Sequence, residues 1–531
     1  MSLSREQAYA FEKFKRGENL FITGPGGTGK TRLIHTFISY MEQNNIKYQV
    51  CALTGCATVL IGCGARTLHS WSGIKLCKGP SKDIIKQVTH NKHAVKSWKT
   101  VKVLIIDEVS MMSKKVFDII EESARLIKKK GEPFGSLQVI FTGDFYQLPP
   151  VGDPGDPESA QFAFESDRWS TVFSLENHIQ LTTMFRQKDP EYIRILGEIR
   201  EGSLSPDSLA TLSPYIGREF HTENHYGVIP TKLFAIKSKV DFVNNTQYRR
   251  LTGEEVVYSY NVKTDAIMNI TTCKMLEPSV TTAFAHLSKE EVDFEIENLI
   301  RITNLQKKIF LKIGAAVMCT FNIDIEAGIC NGSQGTIIDF KDSTGIDGSP
   351  IKLPVVLFSN GSKRIIKQQQ YQSDEYPALI VSQIPLCLAW ALTIHKIQGA
   401  TLQIASMDLG SSIFEFGQIY VALSRIQSLE GLFLNAFEPT KIKANPKVKR
   451  FYQGIPEVPS LVCHTEVSCD SGSSVDPSGN PSVDPSVDPS ADHSSDPSVD
   501  PSGNPSGNRF NSFAYEPTLI SHDPTIKKIR L

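Results

Sequence analysis

The chain has 531 residues, with a hydrophobic fraction of 40% and a charged fraction of 21%, the balance of a soluble globular protein of about two to four compact units. Its formal net charge of −1 supplies no global attraction to nucleic acid, so any basic footprint has to be local. No apolar run reaches the roughly 18 residues of a membrane span, Met1 to Gln7 carries neither a secretory nor a transit pattern, and the ten cysteines form no CxxC pair; these features point to an intracellular protein with reduced thiols and no membrane partner.

Taken in order, the first chemical signal follows the short apolar run Leu20-Phe21-Ile22. Gly24-Pro25-Gly26-Gly27-Thr28-Gly29-Lys30-Thr31 fits GxxxxGK followed by Ser or Thr. The segment after it places Leu33, Ile34, Phe37, Ile38 and Met41 on one helical face. Strand, glycine loop and helix in succession make a phosphate cradle, in which backbone N–H groups and the helix N-terminus converge on ATP. Lys30 reaches the β- and γ-phosphates, and the Thr31 hydroxyl can ligate Mg2+. Tryptophans at 71 and 98 bracket a small insertion at about 72–98, rich in lysine (Lys75, Lys78, Lys82, Lys86, Lys92 and Lys96). Core packing suits the tryptophans, and phosphate attraction suits some of the lysines.

Val103 to Ile106 reads as a second buried strand, ending on Asp107-Glu108. An acid at that strand end can hold magnesium, and its neighbour Glu108 can polarise the attacking water. Leu137 to Phe141 is a third such strand, followed by Gly143-Asp144-Phe145-Tyr146-Gln147. Gln147 is placed to touch the γ-phosphate. Transition-state charge calls for arginine, and two stand in distinctive surroundings: Arg186 in Leu181 to Gln187, and Arg425 in Tyr420 to Arg425. Between about 308 and 384 the pattern changes to short strands punctuated by glycine, a β-rich insertion. From about 455 the apolar periodicity stops, and Val475 to Ser506 runs as eight four-residue units of the VDPS or GNPS kind. That composition predicts an extended, disordered tail. Beyond it, Phe510 to Ile520 and the basic end offer either a docking peptide for a partner or a plain terminus.

In this order the blocks resemble those of superfamily-one helicases, and within them the Pif (petite integration frequency) family of the RecD-like branch, from about Leu3 to Phe437. The similarity lies in Gly24 to Thr31, Thr54 to Ala57 with Thr67 to Ser70, Asp107 to Met111, Thr142 to Val151, Leu181 to Gln187, Leu392 to Thr401 and Tyr420 to Arg425. Ser110 to Phe145 is the stretch that narrows the family, and Leu311 to Met318 with Asn331-Gly332 resembles its β-rich, SH3-like insertion.

The resemblance implies an α/β fold of two RecA-like P-loop NTPase domains. The expected limits are 1–175 for the first, with the wedge inside it; 176–260 and 385–454 for the second; 261–384 for the inserted region; and 455–531 for the tail. It implies ATP and Mg2+ as cofactors, with Gln7 reading adenine. It also implies 5′-to-3′ translocation on single-stranded DNA by a monomeric motor, gripped by Thr54, Thr67 and His69 on one domain and by His395 and Gln398 on the other. Forked or structured duplex DNA is the expected substrate, with RNA–DNA hybrid as a further candidate. A non-unwinding, nucleic-acid-stimulated NTPase and a scaffold presenting the tail are the alternatives. The core starting almost at Met1 and the DPS-type tail depart from the family pattern and suggest a viral or mobile-element copy.

Overall fold

The computed structural model describes residues 3–458 apart from 55–56, 59–60, 76, 221–229, 271–274, 277–283, 304, 325–326, 328, 330, 347 and 374–375. The DPS-type tail, and Gly55-Cys56 of the expected strand-binding block, lie outside the described residues.

The first lobe is built on six parallel strands: β1 (Leu20–Thr23), β2 (Tyr48–Ala52), β3 (Arg66–Thr67), β4 (Val103–Asp107), β5 (Gln138–Gly143) and β6 (His178–Gln180), in the order β3-β2-β4-β5-β1-β6. β1 and β4 are buried along their whole length, as continuous apolar runs in a parallel sheet covered on both faces should be. The helix Lys30–Gln43 lays Leu33, Ile34, Phe37, Ile38 and Met41 against one face of the sheet. The helix Lys114–Lys128 covers the other face with Phe117, Ile120 and Ala124, and its start is fixed by Ser113, whose hydroxyl accepts from Val116 N at 3.2 Å. Register sets the chemistry. Thr23 pairs with Gly143 and Ala52 with Asp107, so the ends of β1, β5, β4 and β2 come out at one edge, where open α/β sheets bind ligands.

The wedge comprises helices Leu68–Ser72, Ser81–His90 and Lys92–Thr100. Asn91 ends one helix and starts the next, its side chain accepting from His93 N and Ala94 N. Trp71 and Trp98 are both buried with ring centroids 4.5 Å apart, and Trp98 Nε1 donates to Ser72 O at 3.1 Å. The pair is the wedge's core.

The second lobe has a four-stranded parallel sheet in the order Ala391–Thr393, Thr231–Phe234, Ala405–Leu409, Leu432–Phe437. Helices Pro190–Arg200 and Gln418–Leu423 share its core through Tyr192, Ile195, Ile199, Ile419 and Leu423. Between its strands the chain leaves to form antiparallel sheets, the largest in the order Lys363–Ile365, Pro350–Phe358, Gln334–Thr344, Ala316–Cys319, Leu386–Leu388. Its last strand lies beyond the limit of 384 expected for the insertion.

The helix Pro446–Gln453, expected with the second lobe, packs instead into the first. Val448 and Tyr452 join the core around Phe21 and Phe145, and the Phe451 ring stacks 4.3 Å from Phe164. A pocket among first-lobe aromatics outweighs chain proximity. Among the described residues no helix is long and apolar enough to cross a membrane, and Cys63 and Cys77 are free thiols.

Candidate active site

Gly26, Gly27, Gly29, Lys30 and Thr31 line one wall of a cleft of about 360 Å3, and Asp107, Glu108 and Gln147 a second. Arg186, Gly399 and Arg425, from the second lobe and the segment leading to it, complete it. Lys30 Nζ donates to Gly24 O at 2.6 Å and to Pro25 O at 3.0 Å, so its ammonium is held by the loop it would leave for a phosphate. Burial pulls the Lys30 pKa down; the carboxylates of Asp144, Glu108 and Asp107 oppose that fall.

Asp107 accepts from Glu108 N at 2.9 Å and from the Thr142 hydroxyl. Burial, and then the neighbouring Glu108, push its carboxyl up to about 6. Such a group gains from a cation. Glu108 itself sits in the left-handed region at φ 56°, a conformation that costs a non-glycine residue about 1–3 kcal/mol and often marks functional sites. Its carboxylate accepts from Gln398 Nε2 at 3.3 Å. Gln147 is buried, and its Oε1 has no partner among the described residues, a polar atom left for a ligand.

The two arginines converge from the far side. Arg186 Nη1 donates to Ser424 O at 3.1 Å, while Arg425 Nε donates to Val421 O at 3.0 Å and Nη2 to Ser424 Oγ at 2.8 Å. A methyl built on Gly26 would stand 3.3 Å from Arg425 Nη2 and 3.5 Å from Arg186 Nη1. Burial lowers the pKa of both, and for Arg186 the neighbouring Arg425 adds to the fall. Two desolvated cations side by side, facing a glycine loop, are a site for a polyanion.

Gln7 is fully buried. Its Nε2 donates to Thr28 O at 3.2 Å, and its Oε1 accepts from Ser4 N at 3.1 Å in a helix capping box. In this arrangement it buttresses the phosphate loop from behind. The expected strand grips divide. Thr67 and His69 open towards cavities outside the nucleotide cleft: Thr67 into one of about 650 Å3 that also includes Gln369 and Gln370, His69 into one of about 740 Å3 between wedge and first lobe. Thr54 accepts from Ala57 N at 3.2 Å, and His395 is half-buried with its pKa lowered by burial. Gln398 departs from expectation: it is buried against Glu108 and Ser110, on the nucleotide side. The succession of tight turns after Thr393 swings Gln398 inward while His395 stays half-exposed.

Three further contributors lie within the blocks that carry the resemblance but have no role assigned from sequence. Thr142 holds Asp107, Ser110 accepts from Gln398, and Gln187 bridges to Ser424 O and Ile426 O at 3.2 and 2.9 Å.

Known proteins resemble this chain in sequence and fold. A family model described as PIF1-like helicase matches residues 2–207, and one described as the DNA helicase Pif1 2B domain matches 295–340. The chain is 33% identical over 496 residues to the ATP-dependent DNA helicase PIF1 of Emericella nidulans, covering 84% of this chain and 62% of that protein. It matches the crystal structure of Pif1 helicase from Candida albicans with a TM-score of 0.65 at 32% identity, covering 86% of this chain and 100% of that one. A Bacteroides Pif1 helicase, solved in complex with ADP-AlF3 and ssDNA, matches with a TM-score of 0.56 at 25% identity over 85% of this chain and 97% of that one. The chain spans a little under two thirds of the length of the first curated relatives, 62% for the Emericella protein and 64% for that of Danio rerio. The chain belongs to the PIF1-like helicase family.

Proposed function

With that membership as premise, we propose that the chain is an ATP-dependent DNA helicase that moves 5′ to 3′ on single-stranded DNA and opens forked or structured duplexes. The observation that carries the reading is the convergence of Lys30, Asp107 and Glu108 from the first lobe with Arg186 and Arg425 on one cleft.

The residues divide the work by position. The backbone of Gly24 to Thr31 and the Lys30 ammonium bind the phosphates. Magnesium suits the all-oxygen donors Thr31 and Asp107, and would neutralise charge on the β- and γ-phosphates. Glu108 orients the attacking water and accepts its proton as the water oxygen bonds to the γ-phosphorus. The bond to the β–γ bridging oxygen breaks, giving ADP and phosphate, while Arg186, Arg425 and Lys30 stabilise the spreading negative charge. Gln147, with its unpartnered Oε1, is placed to register the γ-phosphate. Binding draws the lobes together and hydrolysis releases them. Thr54, Thr67 and His69 on one lobe and His395 on the other would then grip the strand by turns through its phosphates and sugars.

The test is ATP hydrolysis with and without single-stranded DNA, together with strand separation on 5′-tailed, 3′-tailed and RNA–DNA hybrid substrates. Wild-type protein should hydrolyse ATP faster with the strand present and open a 5′-tailed fork, while Lys30→Ala should do neither. Wild-type rates in Lys30→Ala would refute the site, and opening from a 3′ tail alone would refute the direction. Strand-stimulated hydrolysis without any strand separation would favour a non-unwinding NTPase. The hybrid arm tests RNA–DNA as a substrate, sedimentation under the same conditions tests a monomeric motor, and deletion of 463–531 tests whether the tail serves a docking partner rather than the motor.

A further inference from the structure

The buried carboxylate of Asp144, just past the end of β5, gathers groups from three parts of the chain. Arg200, the last residue of the helix Pro190–Arg200, donates through Nε to Oδ2 at 3.0 Å and to Oδ1 at 3.2 Å, and through Nη2 to Oδ1 at 2.9 Å. The Tyr420 hydroxyl lies 3.2 Å from Oδ2, and the Tyr452 hydroxyl 3.2 Å from Oδ1. The Arg200 guanidinium also lies over the Tyr146 and Tyr452 rings, at 4.4 and 5.0 Å from their centroids. Burial alone would push the Asp144 carboxyl up, but Arg200 holds it below the usual range, so the pair is ionised.

Both hydroxyls reach further, Tyr420 into the phosphate loop and Tyr452 to the end of β1 just before it. Tyr420 OH accepts from Gly26 N at 2.9 Å, and Tyr452 OH bonds the Thr23 hydroxyl and accepts from Phe145 N at 3.1 Å. Tyr420 stands one helical turn before Ser424, which accepts from Arg186 and Arg425, and Arg425 is braced back onto Val421 O. Tyr192 OH ties the Arg200 helix to the same turn by donating to Leu423 O at 2.8 Å. The circuit closes on Gly26: Tyr420 holds its N–H, and the two cleft arginines face its Cα at 3.3 and 3.5 Å from where a methyl would stand.

We propose that Arg200, Tyr420 and Tyr452 are positioning residues for ATP hydrolysis: meeting on Asp144, they set the distance between the phosphate loop and the two arginines that face it across the cleft. The inference rests on the reading of the cleft as an ATP-hydrolysing site. A buried ion pair serving cohesion alone would need no hydroxyl shared between carboxylate and phosphate loop. Here a shift of the Tyr420 turn moves Ser424, and with it both guanidinium groups. None of the three touches the reacting atoms. Their loss should therefore act on the rate of the bound complex rather than on nucleotide affinity.

The full chain, Tyr420→Phe, Arg200→Lys and the double variant are compared for strand-stimulated ATP turnover, ADP affinity by fluorescence titration, and thermal midpoint. Tyr420→Phe keeps the ring and should lower kcat about tenfold while ADP affinity stays within about twofold. Arg200→Lys should do likewise, and the double variant should fall no further than the worse single one, because both act through one carboxylate. Folded Tyr420→Phe with kcat within about twofold of wild type would overturn the proposal, as would a matching loss of ADP affinity or fully additive losses. Should Arg200→Lys fail to fold, Tyr420→Phe decides alone. Wild-type protein without ATP turnover would overturn the reading of the cleft, and the proposal with it.

Discussion

Alanine at Gly27 and alanine at the adjacent Gly26 should have very different consequences. Gly27 has φ +101°, where an L side chain is strained by about 1–3 kcal/mol. A Cβ there would lie 2.7 Å from Arg186 Cβ and 3.1 Å from Gln187 Oε1. Restoring ordinary contact of about 3.7 Å means moving the Arg186 stem by about 1 Å, since the loop beneath is fixed by Phe185 N donating to Gly27 O. A misplacement of that size near reacting groups costs about 100-fold in rate, equivalent to about 2.7 kcal/mol of barrier. Gly26 is outside the left-handed region, and its methyl would meet the guanidinium tips at 3.3 and 3.5 Å, which a few tenths of an ångström of side-chain movement relieves. Gly26→Ala should therefore lose less than about tenfold in kcat. Steady-state ATP turnover with saturating single-stranded DNA, with the thermal midpoint as the control for folding, separates the two. A larger loss in Gly26→Ala than in Gly27→Ala would refute this geometry, as would Gly27→Ala turning over at more than half the wild-type rate.

Stability should fall in mild acid. Both ring nitrogens of His178 are engaged, Nε2 accepting from Trp169 Nε1 at 2.9 Å and Nδ1 donating to Ser174 O at 3.0 Å, which only the neutral ring can do. Burial holds the His178 pKa below its usual 6.5. As pH falls through about 6.5 the unfolded chain takes up a proton that the folded one refuses, so the unfolding free energy drops. His178→Gln should flatten that part of the thermal-midpoint profile, and an unchanged slope would exclude His178 as its source. In the wedge, Trp98→Ala removes a fully buried ring and its bond to Ser72 O, and should cost about 3–5 kcal/mol, read as an earlier denaturant transition. A shift worth less than about 1 kcal/mol would mean that the wedge is not organised around Trp71 and Trp98.

What the sequence made legible follows from the range of the forces involved. The phosphate loop, the three buried strands and the helix Lys30–Gln43 are local: glycine spacing, continuous apolar runs and a 3.6-residue stripe each sit within a few residues. The arginines could be picked out because the patterns around them are also local. Arg200, Tyr452 and the cleft-side role of Gln398 could not, because each depends on a partner far along the chain. Asp144 and Tyr452 are 308 positions apart, and Gln398 and Glu108 are 290. Gln398 shows the difficulty most directly. It stands three residues after His395, and a shared motif favours a shared duty. The turns after Thr393 separate them, leaving His395 half-exposed and Gln398 buried on the general-base candidate, with its Oε1 unpartnered. One short segment of the second lobe thus faces both the nucleotide cleft and the side assigned to the strand. That coupling is a property of the turn geometry, which residue identity does not encode. The phosphate loop could be read from the sequence, but the Tyr420 and Asp144 contacts that hold the opposite lobe against it required the assembled lobes.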